Sequence, residues 1–133
     1  MKGKILVLFL AVSSLLAAQN LRIVGDESDT LAVGNAYNTN DIASYVNIEN
    51  VGSSPIDVLV KRIDKNYNSL TDSNAICWQI CFLPDVSVSP PNYAITLQPG
   101  DKSVKGDFVG HVYPDMDGTP MSGAITYVFF DMN

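Results

Sequence analysis

The chain has 133 residues, 47% of them hydrophobic, with 14 acidic against 8 basic side chains, one histidine and a formal charge of −6. That length suits one domain with one core. The acidic balance argues against nucleic acid and against anionic membrane surfaces as partners.

Residues 1–18 read as a secretory signal. Lys2 and Lys4 form a positive start, Ile5 to Val12 an uncharged apolar run, and Ser13 to Ala18 a small-residue stretch with cleavage expected after Ala18. The run is too short for a comfortable membrane span, and no cysteine follows it to take a lipid anchor. A buried N-terminal strand or helix is the competing reading. Cleavage leaves residues 19–133 as a single domain, and losing Lys2 and Lys4 takes the formal charge from −6 to −8. The expected location is exported: periplasmic, outer-membrane-associated or extracellular.

Leu21 and Ile23 alternate as in a first strand. Asp26, Glu27 and Asp29 make an acidic turn that could attract calcium, a solvated loop being the plainer reading. Gly34 to Asp41 reads as a loop. Ile42 to Asn50 reads as one strand, with Ile42, Val46 and Ile48 on one face and Tyr45, Asn47 and Glu49 on the other. Asn50 to Pro55 is a turn cluster, and Ile56 to Ile63 follows with Ile56, Val58 and Val60 sharing a face. Asp64 to Asn74 is polar and turn-rich.

Cys77-Trp78-Gln79-Ile80-Cys81-Phe82 then gathers the only two cysteines and the only tryptophan. In a straight strand, residues four apart stand about 13 Å apart, too far for a disulfide, which needs Cα atoms within about 7 Å. Two readings follow: the segment bends and closes a small intrachain ring, or the thiols stay apart as buried apolar groups. An even cysteine count in an exported chain favours the Cys77–Cys81 ring. Two cysteines with one distant histidine do not complete a zinc set, so no metal and no cofactor is expected there.

Ser87 to Asn92 breaks regular structure; Tyr93, Ile95 and Leu97 alternate inward; Gln98 to Asp101 turns the chain. Val104, Phe108 and Val112 mark one face of the next strand, with Val109, His111 and Tyr113 opposite and Gly106 and Gly110 inside it. Asp115 and Asp117 begin like a calcium loop, but its closing glutamate is missing, so they are weak calcium candidates only. Ala124 to Asp131 is a last strand that is apolar on both faces. Turn chemistry between strands about ten residues apart predicts an all-β, antiparallel sandwich of about seven strands.

Val46-Asn47-Ile48-Glu49-Asn50, Cys77-Trp78 to Cys81, Leu97-Gln98-Pro99-Gly100 and Tyr127-Val128-Phe129-Phe130-Asp131, in that order, resemble an immunoglobulin-like domain of secreted Bacteroidota proteins. That domain often precedes a C-terminal sorting domain of the type IX secretion system. Here Asn133 follows the last strand with no sorting domain after it, so type IX export is not expected. The resemblance implies an immunoglobulin-like fold and a lineage, and no catalytic residues.

An enzyme is not expected. His111 lies mid-strand and reads as an exposed strand residue, and no serine sits in a nucleophile elbow. The function expected is a structural or adhesion module acting through sheet edges and an apolar surface, with a protein partner or a second copy. The alternative is a carbohydrate-binding module that stacks sugars on Trp78 or Tyr113. A buried Trp78 favours the first reading and an exposed one the second. On the last strand, Thr126, Val128 and Phe130 are expected to face the core. Ile125, Tyr127 and Phe129 then form the outward interaction surface, unless loop residues cover them.

Overall fold

The computed structural model describes residues 20–25, 41–65, 74–114 and 124–133, the side chains of 64 and 65 excepted. The signal segment, the acidic turn at Asp26 to Asp29 and the calcium candidates Asp115 and Asp117 lie outside the described residues. Among those described, the protein is all-β and antiparallel, with nine strands: β1 (Leu21–Val24), β2 (Ile42–Tyr45), β3 (Asn47–Asn50), β4 (Ile56–Lys65), β5 (Asn74–Trp78), β6 (Ile80–Cys81), β7 (Ile95–Leu97), β8 (Phe108–Val112) and β9 (Ala124–Asp131). They form a four-stranded sheet in the order β2-β8-β5-β6, a three-stranded sheet β7-β4-β9, and a β1-β3 ribbon. No helix among the described residues is long and apolar enough to cross a membrane.

The core lies where the two larger sheets face each other. Ile56, Val58 and Val60 of β4 meet Ile76 and Trp78 of β5 and Phe108 of β8, with Ile48 and Leu97 completing it. The alternation expected for β4 therefore holds, because a period of two puts residues 56, 58 and 60 on one face. Trp78 is fully buried, and its indole N–H donates to the Val58 carbonyl across the core at 3.1 Å. A buried indole that keeps its hydrogen bond avoids the cost of an orphaned donor, about 1–3 kcal/mol. Arg62, also buried, donates to the carbonyls of Asn74 and Pro84.

The strand expected over residues 42–50 is broken at Val46. β2 pairs with β8, whereas β3 pairs with β1, so the chain changes sheet between them. Asn50 secures the turn that follows. Its side-chain amide donates to the carbonyls of Ser54 and Leu97, and its oxygen accepts from the Gly52 N–H. Val104 and Gly106, expected in the strand with Phe108, lie in the turn before β8. Val104 is exposed, and Gly106 takes a φ of 97° there.

β9 is turned over relative to expectation. Its register sets Phe129 opposite Val60 and Tyr127 opposite Arg62, the core-facing residues of β4. Directly opposed residues share a face, so Tyr127 and Phe129 pack on the core, while Thr126 and Val128 are exposed. Phe129 meets Trp78 and Phe108 at ring distances of 5.7 and 5.0 Å, and Tyr127 meets Phe108 edge-on at 4.9 Å. A strand that is apolar at both parities gives no preference for either face, and a slip of one residue exchanges the two. The pairing partner decides.

Gly110 makes room for this packing. A Cβ built there would stand 2.6 Å from the Tyr127 hydroxyl oxygen and 2.8–2.9 Å from its ring. Gly110→Ala is expected to lift Tyr127 off Phe108 and to cost about 1–3 kcal/mol in urea unfolding. Combining it with Tyr127→Leu should cost less than the sum of the two single changes. Additive costs would mean that the contact does not govern the site.

Candidate functional site

Two features stand out, a strand edge and a cluster of chemically reactive side chains. The edge belongs to β9. Among the described residues it pairs only with β4, through eight registered residues, and no described strand lies along its other edge. That edge faces β1 across a groove lined by Leu21, Arg22, Ile23, Ile48, Tyr127, Val128 and Phe129. The side chains expected as the outward surface are therefore placed differently. Tyr127 and Phe129 line the groove from the core side, and the exposed apolar residues at its margins are Ile23 and Val128, 59% and 39% exposed.

β1 is held to β3 by its strand pairing and by one ion pair. Arg22 Nε and Nη2 both donate to Glu49 Oε2, at 3.0 and 2.5 Å. The Arg22 hydrogen bond holds the Glu49 carboxyl below its ordinary value, with the charges of Arg22 and Lys102 adding to the effect and partial desolvation opposing it. The pair is exposed on the Arg22 side, so its energetic weight is small.

The cluster lies on the outer face of the four-stranded sheet. β5 and β6 form a tight hairpin with Cys77 opposite Cys81, Trp78 opposite Ile80, and Gln79 at the tip. Gln79 takes the left-handed region at φ 62°, and its N–H is tied to the Asp107 carbonyl at 2.9 Å. The bend brings the Cys77 and Cys81 Cα atoms to 3.8 Å, and a disulfide joins them. The expected ring is thus present, closed by a hairpin. With Trp78 inward, alternation turns Cys77 outward.

On β8, His111 pairs with Ala75 and Val109 pairs with Cys77, so His111 sits diagonally beside Cys77 on that same face. Both cysteine sulfurs and a ring nitrogen of His111 lie within 4.8 Å of one another. His111 is half-buried rather than exposed as expected. Its Nδ1 lies 2.9 and 3.1 Å from the two carboxylate oxygens of Asp41, and its ring stacks parallel on Tyr113. Burial, and then the charge of Asp41, raises the Tyr113 phenol above its ordinary value. The histidine taken as distant is adjacent once β5 and β8 pair. A single sequence does not show that register. The only hint is that Val109 and His111 share a face.

Reduction of the disulfide should leave the fold standing, because a ring this short is worth only about 2 kcal/mol in the chain-entropy model. Intact mass with and without reductant, followed by urea unfolding of both forms, checks this. Two free thiols in the native protein would contradict the ring. Separately, Glu49→Gln should speed amide exchange in Leu21–Val24 near neutral pH. The Glu49 pKa is lowered in the folded state, so the stabilisation is present above the ordinary carboxylate range and is lost as pH falls through the lowered value. The wild type and the variant should therefore converge in acid, and a difference that persists there would rule out the ion pair as the cause.

Comparison with known proteins finds no matching family model, no matching curated protein and no matching solved structure. The function is therefore read from the geometry of the edge and the cluster.

Proposed function

We propose that the chain is an exported structural or adhesion module with an immunoglobulin-like β-sandwich, acting by adding an extended strand of another protein chain to the outer edge of β9. The observation that carries this reading is the position of β9 at the end of its sheet among the described residues, facing β1 across an apolar-lined groove. An unpaired edge offers a row of backbone donors and acceptors. A strand added there gains main-chain hydrogen bonds, and the groove side chains set which strand fits. A second copy of the chain is the simplest supplier, since two β9 edges related by a twofold axis would pair isologously into one continuous sheet.

Several features support the rest of the reading. The basic, apolar and small-residue order of residues 1–18 supports export, and the Cys77–Cys81 bond suits an oxidising compartment, whether periplasmic, outer-membrane-associated or extracellular. Antiparallel sheets facing across a buried tryptophan support the sandwich. The disulfide departs from the antibody pattern, because it closes one hairpin rather than joining the sheets. The carbohydrate reading needs an exposed stacking platform. Trp78 has no exposed surface, and one face of Tyr113 is covered by His111.

The double variant Ile23→Lys with Val128→Lys tests the proposal. Both side chains are exposed, so folding stability should change by no more than about 0.5 kcal/mol per site. Sedimentation equilibrium should show wild-type protein self-associating and the folded variant monomeric. A wild type that stays monomeric at high concentration, or a variant that associates equally well, would overturn it.

A further inference from the structure

The Cys77–Cys81–His111 cluster carries an inference independent of the β9 edge. We propose that, once the disulfide is reduced, Cys77, Cys81 and His111 bind one thiophilic d10 cation, Cu(I) or Zn(II). The donor set is two thiolates and an imidazole. Soft donors of this kind select such cations over calcium or magnesium, which need oxygen ligands.

The geometry requires little movement. Metal–sulfur bonds of about 2.3 Å at a tetrahedral centre place two thiolates about 3.8 Å apart. The three ligand atoms already lie within 4.8 Å of one another, so breaking the sulfur–sulfur bond and rotating the two cysteine side chains is enough. The backbone stays fixed, because Cys77 and His111 stand on directly paired strands. Asp41 engages Nδ1 of the imidazole, so Nε2 is the ring nitrogen the proposal assigns to the metal. A carboxylate on the far nitrogen fixes the tautomer and makes the imidazole a stronger ligand. Tyr113, stacked on the ring, limits its rotation. The cation can arrive from solvent through Cys81, which is exposed, while Cys77 behind it is buried.

The reaction balances with a dithiol reductant as co-reactant. The reductant gives two electrons and two protons to the Cys77–Cys81 bond, becoming a disulfide itself and leaving two thiols. The cation then takes both sulfurs and releases the two thiol protons to solvent. In the oxidised protein neither sulfur is a thiolate, so the disulfide blocks the site and its reduction opens it.

The test uses the full chain, oxidised and reduced, under anaerobic conditions. Zn(II) is titrated against a chromophoric chelator, Cu(I) is supplied from its bicinchoninate complex, and Co(II) reports sulfur ligation through its thiolate charge-transfer bands. The reduced protein should bind one equivalent and the oxidised protein none. Cys77→Ser and Cys81→Ser should each abolish the charge-transfer bands. His111→Ala should weaken binding at least tenfold with those bands retained, and Asp41→Asn should weaken it about 10–100-fold, the usual effect of removing such a partner. The Zn(II) and Cu(I) arms show which cation is held more tightly. The proposal is overturned if oxidised protein binds equally well, if reduced protein binds nothing, or if His111→Ala binds as tightly as wild type. It also falls if each metal is shared by two chains. Loss of the near-ultraviolet signal of Trp78 on reduction would likewise overturn it, because the site needs β5 paired to β8.

Discussion

The indole of Trp78 is the constraint on which the rest depends. It is the largest fully buried side chain, and its N–H reaches the Val58 carbonyl on the facing sheet. Apolar packing alone leaves two sheets free to slide in small steps. One directed hydrogen bond across the core fixes their relative position, since the donor would be orphaned if they moved apart. Phe129 and Phe108 then pack around Trp78, and Tyr127 packs on Phe108, so the placement of β9 follows from the same anchor.

β5 serves both sides of its sheet. Ile76 and Trp78 point into the core, and Ala75 and Cys77 point the other way, yet all four are buried. The hairpin at Gln79 is held by the Asp107 carbonyl as well as by the disulfide. The hairpin that carries the cysteines therefore does not depend on their bond alone. The ring is small, and most of the order in this region comes from the buried tryptophan and from pairing with β8.

Much of the fold was legible in the residues. Ile56, Val58 and Val60 recur at a period of two, and Trp78 beside cysteine pointed to a buried position; both hold. The Cys77–Cys81 ring was one of two readings, favoured by an even cysteine count in a chain expected to be exported, and it is the one present. What could not be read was pairing. β9 is apolar at both parities, so its faces were undetermined until Phe129 was seen opposite Val60. The break at Val46 was hidden for a similar reason: alternation continues through it even though β2 and β3 join different partners. His111 gave no local sign of its neighbours, because the residues that make it chemically interesting lie some thirty positions earlier on a strand it pairs with.

The two faces of β8 connect the edge and the cluster. Phe108 and Gly110 turn inward, and Gly110 admits the Tyr127 ring that lines the groove beside β1. Val109 and His111 turn outward, and His111 stands by the cysteines with Asp41 behind it. Strand geometry spaces these side chains at about 3.3 Å per residue, so the groove wall and the histidine are separated by the thickness of one strand. They meet different surroundings because the pleat sends neighbours to opposite faces. A change at Gly110 reaches the groove through Tyr127, while the cluster is carried on the strand's other side by backbone pairing to Ala75 and Cys77. The separation lets one strand carry a groove wall on one face and the cysteine–histidine cluster on the other, each with its own supports: aromatic packing for the first, a hydrogen-bonded histidine and a tight hairpin for the second.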